Sequence, residues 1–487
     1  MPMSRLILLI LTALIATGCA TNPVTGQRDL ALISESEEIE LGRKSDAEVR
    51  QQYGVYADSA LQAYVQQVGE KVATHSHRPG LRYHFTLLDS ADVNAFALPG
   101  GYVYITRGIL AYLNSEAELA AVLGHEVGHV TARHSVRQYS AAMAASIGYN
   151  ITALFLPPLQ SKTGQSLFNT LGGALLSGYG RDHELEADRL GAEYLARSAY
   201  DPQAMIGVIG VLKNQELFER QQAAAEGREP RTYHGVFASH PSADQRLQQV
   251  VRAAEKFRSP NAARLERSAY LKKMQGLAFG PSEQQGMVRG RNFYHKGLGV
   301  GVAFPEGWRL DNQPDRIVAV NPAKDSMLLL AARDEKTGVS AEAFIRDELK
   351  ISPLQQGRPL TATSQAGYTG IARMNSPFGA RNTRVSVVYQ NNKAFIFFGT
   401  QQADSASPGH DQDFLATAAS LHPLTPKEIA LARAVRLHLV NARPGDTFAR
   451  LARDVTGVDD AESMLRLIND KYPRGEPASG DILKTIR

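Results

Sequence analysis

Histidines and carboxylates at helical spacing are the residues best placed to do chemistry, and two stretches hold them. In LAAVLGHEVGHVTARHS, Leu119 to Ser135, His125 and His129 stand four apart with Glu126 beside the first. On a helix that spacing puts both imidazoles on one face, one turn apart. There they can reach one tetrahedral metal ion at roughly 2.0–2.1 Å. Glu126 points toward the neighbouring flank. It cannot easily ligate with the histidines, but it can reach a metal-bound water. This is the division of labour of H-E-x-x-H: two ligands and a general base on one helix. The bland alternative is a core helix whose histidines are simply satisfied. Leu119, Leu123, Val127 and Val130 form the apolar stripe that docks the helix, so the histidine pair lies at its border. Gly128 weakens the helix and allows another backbone to come close.

A metalloprotease needs a third ligand. The pattern H-E-x-x-H-x-x-G-x-x-H fails, because Ala132 stands at the glycine position, Ser135 at the last histidine position, and His134 is one residue short. The second stretch, GRDHELEADRLGAEYLAR, offers a glutamate. Glu184 and Asp188 are i and i+4, hence on one helical face. Glu184 can ligate zinc, and Asp188 can accept the free N–H of a ligand histidine and fix its tautomer. Glu186 points elsewhere on the same helix and is the weaker candidate. Taken alone, the stretch also reads as a solvated acidic face.

These residues sit in a chain of 487 residues, long enough for two to four domains. Hydrophobic content is 43% and charged content 21%, which supports a sizeable core. Net charge is only +4 with no concentrated basic stripe, so no nucleic-acid partner is expected. Cys19 is the single cysteine, which excludes an intramolecular disulfide. It ends MPMSRLILLILTALIATGCA, in which Arg5 and the apolar run Leu6 to Thr17 read as a signal peptide. Small residues before Cys19 resemble a bacterial lipobox. This implies removal of residues 1–18, lipidation of Cys19 and, with Ala20 following, anchorage on the periplasmic face of the outer membrane.

Residues 19–36 read as an extended, lipidated tether. Helical texts run from Glu37 to His75, from Leu110 to His134 and over 181–256. LRYHFTLLDS and GYVYITRGIL read as strands, with a Pro99 to Gly101 turn before the second. The apolar segment 141–160 is a core helix or a mobile flap over the site. A boundary falls near Ser259–Pro260. Strand texts follow from about residue 285, with a hairpin at Asn391–Asn392 and a core Trp308. The tail reads strand, helix, helix, strand, with Asp446 or Thr447 available as a helix cap. Its RPGDTFARLA, LRLIN and SGDILKTI resemble a LysM module, which implies affinity for peptidoglycan; KYPRGEP departs from that pattern.

Five stretches in order give a more specific likeness: NPVTGQRDLALISESEEIELGR, DVNAFALPGGYVYITRGIL, SEAELAAVLGHEVGHVTARHS, HELEADRLG and SHPSADQRL. Together they resemble peptidase family M48, in its lipid-anchored or periplasmic branch, over about residues 21–250. The resemblance implies a gluzincin zinc endopeptidase with one zinc per chain, His125, His129 and Glu184 as ligands, Glu126 as base and Asp188 paired with Glu184. It also implies an exposed edge strand that places Asn94 and Ala95 near the scissile bond. His240 matches a family histidine near the metal, as ligand or transition-state donor, and Arg246 would stabilise the oxyanion or pair with a carboxylate.

The expected fold is therefore multidomain α+β. Residues 37–280 form a mostly helical zinc protease domain with a small edge-exposed sheet, 285–425 an α+β accessory domain, and 433–487 a βααβ LysM-like module. The expected substrates, implied by the resemblance alone, are unfolded or misassembled cell-envelope proteins. The rival expectation is a lipid-anchored chaperone or cell-wall scaffold with a latent zinc site closed by His240.

Overall fold

A computed structural model describes residues 19–140, 180–225, 230, 250–252, 254–257, 264–313, 315–362, 365–405, 409–458 and 460–487. The leader 1–18, the apolar segment 141–160, His240 and Arg246 lie outside the described residues. The chain divides into two compact units, 1–279 together with 436–487, and 280–435.

The first unit begins with a hairpin, β1 (Cys19–Thr21) on β2 (Arg28–Leu30). Asn22 Oδ1 accepts from the backbone N–H groups of Val24 and Thr25 and so closes the turn. The stretch expected as an extended tether is thus folded: its turn-formers make a specific turn rather than a spacer. A capping box on Ser34 opens helix α1 (Glu35–Tyr53). Glu38 of α1 is buried and accepts from Arg78 and Arg133, at 2.9 Å each. Asp58 caps α2 (Ser59–Ala73).

A three-stranded sheet follows, β3 (His84–Leu88), β4 (Ala95–Leu98) and β5 (Tyr102–Thr106), in the order β3-β5-β4. β3 runs parallel to β5, and β4 antiparallel to it. The turn into β5 needs Gly100, whose φ is +77° and whose Cβ, if present, would stand 2.6 Å from Ile39 Cα.

The single helix expected from Leu110 to His134 is broken. Thr106 caps a short α3 (Arg107–Tyr112), and Ser115 caps α4 (Glu116–Thr131). The break lies where Asn114 and Ser115 offer cap chemistry between two apolar runs. Helices α5 (Arg181–Arg197), α6 (Ala204–Ala225) and α7 (Arg267–Met274) and the short strand β6 (Ala278–Phe279) complete this part.

The second unit holds a seven-stranded antiparallel sheet and a four-stranded one. Asn391 and Asn392 take φ of +52° and +59° between strands Gly379–Gln390 and Lys393–Gln401, the two left-handed residues a tight hairpin turn requires. Trp308 is buried edge-on to Phe414.

The tail has the expected order: strand Val435–Asn441, helices Phe448–Leu451 and Ala461–Ile468, strand Ile482–Ile486. Thr447 is the cap. Its two strands pair with each other, and β6 adds the third strand of that sheet, so the tail is built into the first unit. Among the described residues no helix is long and apolar enough to cross a membrane.

Candidate metal centre

Small residues set the spacing at the centre. A Cβ on Gly128 of α4 would stand 3.0 Å from the Ala187 carbonyl oxygen, and one on Gly191 of α5 would stand 3.1 Å from the His125 backbone nitrogen. Without those side chains α4 and α5 approach closely enough for their polar groups to meet. This is the close approach that Gly128 suggested.

His125, His129 and Glu184 are brought together, all three buried, with ligand atoms within 4.8 Å of one another. His125 Nε2 and His129 Nε2 are 3.0 Å apart. Glu184 places Oε2 3.6 Å from His125 Nε2 and Oε1 3.4 Å from His129 Nε2. Three donors of one tetrahedral ion at zinc–ligand distances stand roughly 3.3 Å apart, so the donor set fits zinc in both chemistry and spacing. Burial pushes His129 well below the usual imidazole range, against the pull of Glu184. A neutral imidazole is the form that ligates.

The second nitrogens are directed too. His125 Nδ1 lies 2.8 Å from Asp188 Oδ1. His129 Nδ1 lies 2.8 Å from His134 Nδ1, and His134 Nε2 lies 3.0 Å from Glu186 Oε2. With His129 Nε2 facing the metal position, its Nδ1–H donates to His134, whose Nε2–H donates to Glu186. Arg137 stands 3.4 Å from the same carboxylate. Hydrogen bonding from His134 holds Glu186 below the usual carboxylate range, while burial pushes His134 down.

The sequence shows His134 only as a histidine out of register for a third ligand, and Glu186 only as an alternative to Glu184. The available signal was a histidine just past the end of the metal helix and a second carboxylate two residues from the ligand.

Glu126 is 2% exposed and follows the first ligand on α4. β4 is one of the two outer strands of its sheet and packs against α4. Ala95 pairs with Ile105, while the Asn94 N–H donates to Thr106 Oγ1 and its carbonyl accepts from the Thr106 N–H. Asn94 and Ala95 therefore lie at the start of the strand beside the metal helix.

A family model described as Peptidase family M48 matches residues 59–254. The beta-barrel assembly-enhancing protease of Yersinia pestis is 30% identical over 226 residues, covering 43% of this chain and 46% of that protein. Its namesake in Escherichia coli (strain K12) is 28% identical over 269 residues, covering 54% and 53%. The mitochondrial metalloendopeptidase OMA1 of Schizosaccharomyces pombe is 30% identical over 234 residues, covering 47% and 64%. The chain spans about half the length of the two bacterial relatives.

Proposed function

We propose that residues 59–254, which belong to peptidase family M48, make this chain a zinc-dependent endopeptidase. One observation carries the reading: three buried ligand atoms at tetrahedral spacing, with a buried carboxylate adjoining the first ligand on the same helix. His125, His129 and Glu184 hold the ion. Bound zinc supplies a Lewis acid that polarises the scissile carbonyl and acidifies water. Glu126 takes the proton of the attacking water and passes it to the leaving amine. Asp188 holds the ring of His125, and His134 with Glu186 holds that of His129. An extended substrate segment lies along the outer edge of β4, where backbone pairing near Asn94 and Ala95 fixes the scissile bond. By resemblance, His240 serves as a further ligand or a transition-state donor, and Arg246 stabilises the oxyanion or pairs with a carboxylate.

The substrates are misfolded or misassembled proteins of the cell envelope. Both bacterial relatives are named beta-barrel assembly-enhancing proteases, which supports a substrate of the cell envelope. Lipidated Cys19 anchors the chain to the outer membrane, and the βααβ tail reaches peptidoglycan.

The test pairs zinc analysis with cleavage of unfolded casein, for the chain without its leader and for Glu126→Gln. One zinc in both and cleavage only by the parent chain is the expected result. If Glu126→Gln cuts at the parent rate, Glu126 is not the base. If neither form retains zinc, the helix is a core helix with histidines and the reading fails.

A further inference from the structure

Lys484 lies in the last strand of the tail, yet it is 1% exposed. Its Nζ donates to the backbone carbonyls of Ala111 at 2.7 Å and Leu113 at 2.8 Å. These are carbonyls at the C-terminal end of α3, which the helix itself leaves unpaired. A lysine there completes them and suits the helix dipole. Either protonation state of the amine can donate both bonds.

This end of α3 is only three residues from the start of the metal helix. Leu113, Asn114 and Ser115 form the whole break, and the Asn114 N–H donates to Glu118 Oε2 in the first turn of α4 at 2.5 Å. Glu118 also attracts the Lys484 ammonium electrostatically. The lysine is itself held from behind. Its backbone N–H donates to Asn469 Oδ1, and its carbonyl accepts from Asn469 Nδ2, at 2.8 Å each. Around it the tail packs on the same unit. Helix Ala461–Ile468 lies against α3 and α6, Tyr472 meets Phe218 edge-on, and the Tyr472 hydroxyl donates to Gln221. A module that merely carried an address would not need a buried lysine that donates to the end of a helix outside it.

We propose that the βααβ tail is a structural wall of the peptidase unit, and that Lys484 is a positioning residue which, by closing the end of α3, sets where the metal helix begins. The proposal rests on the peptidase reading for its catalytic consequence, though not for its structural one.

The test uses the full chain without its leader, with Lys484→Met, which keeps the side chain's length and removes the donors. Three readings are taken well below each protein's melting temperature: kcat and KM on unfolded casein, zinc loss to a chelator, and amide hydrogen exchange. A misplaced catalytic group far from the mutation should lower kcat by about tenfold while KM stays within about twofold. Zinc should leave about tenfold faster, and amides 113–120 should exchange faster while those of β3 and β5 do not. A variant that only melts earlier, with parental kcat, zinc retention and exchange, overturns the proposal. If Lys484→Met does not fold, exchange in the parent chain decides. Opening of 482–486 together with 116–131 supports the coupling, and opening of the tail alone, with α4 still protected, overturns it. If the parent cuts nothing, the peptidase reading fails, but the chelator and exchange readings still report on Lys484.

Discussion

The second ring nitrogens of His125 and His129 lead to carboxylates by routes of different length. Asp188 faces His125 directly, whereas Glu186 reaches His129 through His134. Such outer partners hold the ring and raise its basicity, and their loss costs on the order of 10–100-fold in metal affinity. Asp188→Asn and His134→Ala should each weaken zinc binding within that range in a chelator competition, while Glu126→Gln should not. The double variant should weaken it further than either alone, and its departure from the product of the two measures how strongly the neighbouring rings are coupled through the shared site. Parental affinity in His134→Ala would remove the relay from the account. That His125 pairs with His129 and Glu184 with Asp188 on one face each was legible in the sequence because i and i+4 residues share a helical face. His134 and Glu186 were not, because their meeting depends on how closely α4 and α5 pack and not on any spacing along either helix.

At the scale of elements, that packing rests on positions without side chains. A methyl on Gly128 would press on the Ala187 carbonyl and Cα at 3.0 and 3.1 Å. Overpacking of this kind costs about 1–3 kcal/mol, against a gain of about 1 kcal/mol in helix propensity. Gly128→Ala should therefore lower stability by up to about 2 kcal/mol and also weaken zinc binding, since α5 carries Glu184 away as it yields. Gly210 of α6 is the control, because among the described residues nothing lies within 4 Å of its missing Cβ. Gly210→Ala should raise stability by about 1 kcal/mol and leave zinc binding alone. Denaturant unfolding of both variants, read with zinc titration, separates the packing effect from the propensity effect. A stabilised Gly128→Ala with parental zinc affinity would mean the helices are not held at contact. Local chemistry made most elements legible: the Asn391–Asn392 turn, the Thr447 cap and the alternating strands. It also misled, at Asn22, where turn-formers indicate a turn without saying whether it closes a hairpin or a spacer, and at Asn114 and Ser115, whose cap chemistry breaks what the apolar pattern reads as one helix.

For the whole molecule, the informative fact is where the chain leaves and re-enters the first unit. It departs after β6 and returns at the first strand of the tail, beside it. The Leu437 N–H donates to the Leu277 carbonyl at 2.9 Å, and the Gly276 N–H donates to the Leu437 carbonyl at 2.8 Å. Residues 280–435 are thus an insertion whose ends meet on neighbouring strands, an arrangement that hosts tolerate. No pattern in the sequence announces this, because pairing between residues about 160 apart leaves no periodic trace, whereas the LysM-like text of the tail marks it as a module of its own. Excising 281–434 and bridging the gap with a short Gly-Ser turn should leave a chain that unfolds cooperatively and binds one zinc. Stopping the chain at 434 should do the opposite, because it removes Lys484 and the two strands that complete the sheet containing β6. Circular dichroism melting and zinc analysis of the two shortened chains make the comparison. If the excised chain is unfolded while the truncated one keeps its zinc, the tail belongs with the second unit, and the division of the chain proposed here is wrong.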